Sequence, residues 1–185
     1  MGNVSNGFDP GAVGGGVREA DVALQWAMAL RWVGITKFGV NPSDIVLTRD
    51  DSSDVTPVTG RDDLAFRNKC THLLSLHCNS AGPLASGTET LYSQDKGQGK
   101  SMAFAGIVQK CALKAMRSKD RGLKSENTTR HGNLAVFGLA DKMSACLLEI
   151  GFISNSGDRA KMLDRDVRVA FAEAFWTAMG FRKVL

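Results

Sequence analysis

His72-Leu73-Leu74-Ser75-Leu76-His77 and Ser144-Ala145-Cys146-Leu147-Leu148-Glu149-Ile150 are short, almost continuous apolar runs, each carrying a titratable side chain at or near its end. Runs of this length without a polar face are what strands covered on both sides look like. The first passes into the small polar residues Cys78, Asn79 and Ser80, which predicts a buried strand that leaves the sheet at His77. Working outward, Thr88 to Tyr92 reads as another strand, and Ile45 to Thr48 and Leu134 to Phe137 as two more. Only about six residues separate the strand ending at Phe137 from the one starting at Ser144. That is too short for a parallel crossover, so the pair is expected to form an antiparallel hairpin.

Helical spacing lies between these runs. Val22, Ala23, Trp26, Ala27, Leu30 and Val33 recur with a helical period, predicting a helix from about Glu19 to Val33 with Gly34 as its stop. Glu19 and Asp21 fall in its first turn, where the helix dipole favours acids. Further helices are expected over 62–68, 102–117, 159–163 and 167–179. The glycine-rich stretch from Gly11 to Gly16 lacks the spacing of a phosphate-binding loop and follows no clear strand. Strands alternating with helices specify an α/β fold: a twisted mixed sheet flanked by helices on both faces, in one domain spanning residues 1–185.

Composition agrees. At 185 residues, 43% hydrophobic and 23% charged, the chain is neither disordered nor fibrous. The longest apolar stretches are interrupted by Asp21, Gln25 and Arg31, so a membrane span is not expected. Met1 to Gly7 shows no basic start and no apolar block, so no cleavable secretion signal is expected. The net charge of +4 is uneven: from Lys100 to His131 eight basic residues face Asp120 and Glu126, leaving the rest of the chain slightly acidic. Such a segment is either a solvated helix face or a surface for an anionic polymer. Apart from Phe104 it has no aromatic residue, which speaks against nucleic acid. Cys70, Cys78, Cys111 and Cys146 form no paired metal motif and read as reduced core residues.

Three polar residues sit where elements begin or end: Glu19, His77 and Glu149. Open α/β sheets place ligands at such ends. Burial at the end of an apolar strand raises a carboxyl group's proton affinity, as a general base or acid requires. Glu149 could equally cap a backbone group or pair with an arginine.

The order of short motifs goes further. Asp9-Pro10-Gly11-Ala12 with Glu19, Leu47-Thr48-Arg49-Asp50, Arg61, Ser75-Leu76-His77-Cys78-Asn79, Ser86-Gly87-Thr88-Glu89 and Leu148-Glu149-Ile150-Gly151-Phe152-Ile153-Ser154-Asn155 follow one another. Together they resemble the zinc-dependent N-acetylmuramoyl-L-alanine amidases of bacterial peptidoglycan. The resemblance implies an endolysin-like, bacteriolytic hydrolase that cuts the amide between N-acetylmuramic acid and L-alanine, with a Zn2+ cofactor held by a histidine, a glutamate and a second histidine. On that resemblance Glu19 is the glutamate ligand, His77 the second histidine and Glu149 the catalytic carboxylate. The implied partner is peptidoglycan, with anionic envelope polymers along the segment from Lys100 to His131. The chain is expected to be a monomer, cytoplasmic until release if it is a phage endolysin, and otherwise outside the membrane.

The chain departs from the family at one place. The family delivers its first ligand histidine in a His-Gly-Gly-like turn just ahead of the Asp-Pro-Gly stretch, at the end of a first strand. Here Met1 to Phe8 contains no histidine, with Asn3 or Val4 near the expected position. Three readings stay open: a truncated first strand, a substitution that disables metal binding, or a degenerate member that binds peptidoglycan without cutting it. His131 is a candidate for the cleft through the expected hairpin, against an ordinary loop position. His72 starts the strand that His77 ends, too far away to share an ion with it.

Overall fold

The computed structural model describes residues 10–51, 60–129 and 132–184. Along the chain come β1 (Val13–Gly14), β2 (Val17–Arg18), α1 (Glu19–Phe38), a 3-10 turn (Pro42–Asp44), α2 (Arg61–Arg67), β3 (His72–Asn79) and β4 (Thr88–Tyr92). Then follow α3 (Gln98–Met116), β5 (Asp120–Ser125), 3-10 turns at Glu126–Thr128 and Ala135–Phe137, β6 (Ser144–Phe152), α4 (Ser156–Leu163) and α5 (Arg165–Ala178).

Four strands form the main sheet in the order β3-β6-β4-β5. β6 is central: it pairs parallel with β3 and antiparallel with β4, and β4 pairs parallel with β5. Alternation along β6 divides its side chains between two cores. Cys146, Leu148 and Ile150 join the larger cluster, built with α1, α3 and α5. Ala145 and Leu147 join Leu73, Leu91, Ala65, Val136 and Phe137 in a smaller one under α2 and the Ala135–Phe137 turn. Both faces are covered, which is why β6 reads as an unbroken apolar run. The expected mixed sheet flanked by helices is the observed fold.

α1 runs to Phe38, through Gly34 and past the expected end at Val33. Gly34 is a packing residue: a Cβ there would come within 2.7 Å of the Trp176 ring on α5. The glycine lets the two helices close, and Trp176 Nε1 donates to the Leu30 carbonyl at 2.8 Å. Gly39, in the left-handed conformation at φ 63°, ends the helix. Trp26 is fully buried, lies tilted at 45° against Phe171 with ring centres 5.0 Å apart, and donates its indole N–H to the Met162 carbonyl at 2.9 Å. Trp26→Ala is expected to cost about 4 kcal/mol in a urea titration, through the cavity and the orphaned carbonyl.

Two expected strands are absent. Ile45 to Thr48 is not a strand of the described sheet: Ile45, with extended backbone, packs on the larger core, and Arg49 turns back to bond the Ala20 carbonyl. Leu134 to Phe137 is a 3-10 turn that buries Val136 and Phe137, so the expected hairpin does not exist. A three-residue apolar cluster lacks the periodicity that separates a strand from a buried turn. Conversely, β5 was not expected, because Asp120-Arg121-Gly122-Leu123-Lys124-Ser125 is polar for a strand. The β1–β2 ribbon was also unexpected; Gly15 and Gly16, at φ 54° and 78°, make the turn that a two-residue hairpin needs. The residues ahead of Pro10, where the family's first strand would fall and where a truncation is expected, lie outside the described residues.

Candidate active site

Glu19 is the first residue of α1, and its side chain folds back under the Pro10-Gly11-Ala12 turn. Its Oε2 accepts the Ala12 N–H at 2.8 Å, while Oε1 accepts the Cys78 N–H at 3.2 Å and lies 2.7 Å from His77 Nδ1. The turn is tied to the helix start by Glu19 N–H to Ala12 O at 2.8 Å and Ala20 N–H to Pro10 O at 3.1 Å. Gly11 is required twice: its φ is 67°, and a Cβ would meet Glu19 Oε2 at 2.5 Å. Burial pushes the Glu19 carboxyl up, but the bonds from His77 and from the two backbone N–H groups outweigh it and hold it below its ordinary value. Burial opposes charge on His77 too, and the Glu19 carboxylate overcomes it, raising the imidazole. Gly11→Ala is therefore expected to displace the Glu19 carboxylate and lower the His77 pKa. An NMR pH titration of the imidazole checks this; an unchanged midpoint would sink it.

His77, Glu149 and Glu89 lie on one rung of the sheet. His77 is the register partner of Glu149 across β3 and β6, and Glu149 is the partner of Glu89 across β6 and β4. Residues directly opposite share a face, here the smaller-core face, one step beyond Leu147. Glu89 is neutralised from the β5 side by Arg121 Nε at 2.6 Å and Lys124 Nζ at 2.7 Å, and Asn79 Nδ2 donates to it at 2.9 Å. Burial pushes Glu89 up, but these cations hold it below the ordinary carboxylate range. Glu149 has no such help, and its Oε2 is buried without a hydrogen-bond partner. Burial pushes Glu149 up to about 7; His77 pulls it down, and Glu19 and Glu89 push it further up. Two carboxyl groups on one rung are thus driven apart, one kept ionised and one poised to take or give a proton near neutrality.

The segment after Glu149 is scaffold. Buried Asp158 accepts the N–H groups of Gly87 at 2.9 Å and Phe152 at 3.0 Å, tying the exit of β6 to the entry of β4. Asn155 caps α4 through the Gly157 and Asp158 N–H groups, both at 3.0 Å, and its amide reaches the Pro83 carbonyl at 2.8 Å.

The structure therefore brings Glu19, His77 and Glu149 together, from the start of a helix and the ends of two strands. His72 is at the other end of β3, beside Ser144 in register and edge-on to Phe104 at 4.8 Å. His131 lies outside the described residues, and the hairpin that argued for it is gone. Glu89, Ser75 (Oγ 3.1 Å from His77 Nε2) and Arg61 belong to the site's surroundings and had no role assigned from sequence. All three fall inside the ordered motifs, which was the available signal. For a metal, Glu19 and His77 have suitable donors side by side, but among the described residues no group of three His, Cys, Asp or Glu side chains could hold an ion. The fit is right in kind and two donors in number, one short of the three protein ligands usual for catalytic zinc.

Comparisons with known proteins converge. The sequence matches the model of the family described as N-acetylmuramoyl-L-alanine amidase over residues 5–180. It is 30% identical over 168 residues to the uncharacterized protein YqiI of Bacillus subtilis (strain 168), covering 91% of this chain and 76% of that one. It is also 30% identical to the sporulation-specific N-acetylmuramoyl-L-alanine amidase of the same organism, covering 84% of this chain and 56% of the relative, so it spans about half of that protein. The catalytic domain of the amidase CwlV from Bacillus (Paenibacillus) polymyxa var. colistinus superposes with a TM-score of 0.76 at 28% identity, covering 92% of this chain and 89% of that one.

Proposed function

The chain belongs to the N-acetylmuramoyl-L-alanine amidase family, and from that premise we infer that its site hydrolyses the amide between N-acetylmuramic acid and L-alanine in peptidoglycan. The observation that carries the inference is Glu149, a buried carboxyl group held near neutrality on the same rung as the Glu19-paired His77. Glu149 takes a proton from the attacking water as its oxygen adds to the lactyl carbonyl carbon. When the carbon–nitrogen bond breaks, Glu149 returns that proton to the leaving amine of L-alanine. The carboxylic acid of the muramic residue is the other product.

Glu19 and His77 are the residues that would hold zinc, His77 having first lost the proton that Glu19 favours on it. When bound, zinc supplies a Lewis acid that polarises the scissile carbonyl and acidifies water. On this reading the protein is bacteriolytic, as an endolysin or after export, with its basic segment assisting on an anionic envelope.

The two-donor set favours a second reading, in which the domain binds peptidoglycan without cutting it. Incubation with purified sacculi, followed by labelling of new amino termini, separates the two. Release of amino-terminal alanine supports hydrolysis, co-sedimentation without release supports binding alone, and the absence of both would overturn peptidoglycan as the ligand.

A further inference from the structure

Arg61 opens α2, and its position follows from the topology. The seven-residue α2 passes through residues 68–71 into β3. Ala65 of α2 packs in the smaller core with Leu73 of β3. A short helix returning into the strand beneath it runs antiparallel to it, so the first residue of α2 lies toward the end of β3 that carries His77. The electrostatics agree: the Arg61 charge is felt at both His77 and Arg49, and Arg49 itself bonds the Ala20 carbonyl beside Glu19.

Arg61 is half-buried. Its Nε is buried without a hydrogen-bond partner, and among the described residues no salt bridge neutralises it. Two buried side-chain polar atoms are without partners among the described residues, Arg61 Nε and Glu149 Oε2. They belong to side chains of opposite charge, and both act on His77. In the half-buried Arg61 it is the Nε donor that lacks a partner, and native structures keep buried unpartnered polar atoms chiefly where function uses them.

We propose that Arg61 recognises a negatively charged oxygen of the muramoyl peptide, gripping it across the site from the carboxyl group of Glu149. This rests on the amidase reading above. A guanidinium offers a planar fork of donors and stays charged at any working pH, which suits an anionic oxygen better than a lysine does. Two oxygens of the substrate have this chemistry. One is the scissile carbonyl oxygen, which becomes an oxyanion as water adds and the carbonyl electron pair moves onto it. The other is the free carboxylate of the second residue of the stem peptide.

The test is calorimetric titration of the full chain and of Arg61→Gln with two muramoyl dipeptides that differ only in whether the second residue carries a free carboxylate or its amide. Arg61→Gln is expected to weaken binding about tenfold, the scale of one charge-assisted hydrogen bond. Loss confined to the carboxylate compound assigns the stem carboxylate; equal loss with both assigns the scissile carbonyl. Arg61→Lys should recover part of the affinity. The melting temperature should stay the same, since Arg61 is half-buried and makes no salt bridge among the described residues. Unchanged affinity for both compounds, or a clear fall in melting temperature in both variants, overturns the assignment and leaves the amidase reading standing. Failure of the unmodified chain to bind either compound would overturn both.

Discussion

Glu149→Gln is expected to lose wall hydrolysis by a factor of about 10² to 10⁴ and, in the metal-free protein, to melt higher than the unmodified chain at neutral pH. The two effects share one origin. Glutamine keeps the shape of the side chain on β6 but cannot carry the proton from water to the leaving amine. It also removes a charge that the fold resists, because Glu149 is buried with one oxygen unpartnered and lies between Glu19 and Glu89 in effect.

The sign of the pH dependence follows from linkage. The Glu149 pKa is raised from 4.5 to about 7, so between these values the folded chain holds a proton that the unfolded chain has released. Stability from this group is therefore greatest below the unfolded value and declines as pH rises through the window, by about 3 kcal/mol when complete. Glutamine has no such dependence. The variant should match the unmodified chain at pH 4 and exceed it by several degrees at pH 7.5, both treated with chelator. Undiminished release of amino-terminal alanine by the variant would remove Glu149 from the reaction. A melting difference that is the same at both pH values would show that packing, not titration, causes it.

How far the sequence speaks is visible in these same residues. β3, β4 and β6 were readable because each is a short apolar run bounded by small or polar residues, and their ends carry His77 and Glu149. β5 was not, because its side chains Arg121 and Lys124 are spent on neutralising Glu89 and the strand therefore looks like loop. Those two cations also belong to the basic segment after Lys100, so part of what reads as a solvated charge run is a counter-charge for the site. Ala135–Phe137 was misread for the opposite reason, being apolar enough for a strand but folded as a buried turn. Glu19, His77 and Glu149 were named from motif order, whereas what tunes them was not legible. The rung that joins His77, Glu149 and Glu89 depends on strand register between segments far apart in sequence. The exposure of Glu149 to Glu89 is a product of that register, and the place of Arg61 follows from how α2 returns into β3.

The largest change in metal affinity is expected from a histidine placed at position 3 or 4. The match to the family begins at residue 5, the Pro10-Gly11-Ala12 turn already wraps Glu19, and no histidine occurs from Met1 to Phe8. Among the described residues Glu19 and His77 are two donors, which leaves the remaining coordination to water, and they must also give up their bond to each other before they can share an ion. The unmodified chain should therefore lose zinc to a mild chelator during dialysis. A third imidazole should tighten binding by about a hundredfold or more, since each ligand carries a few kcal/mol of a full zinc site. Hydrolysis should rise with it, and Glu149→Gln in the same background should abolish hydrolysis while leaving the zinc in place. Zinc per chain, measured by atomic absorption before and after dialysis, checks the first part independently of activity. One chelator-resistant zinc per unmodified chain would overturn the expectation, because a donor outside the described residues, His131 first among them, would then complete the set with Glu19 and His77.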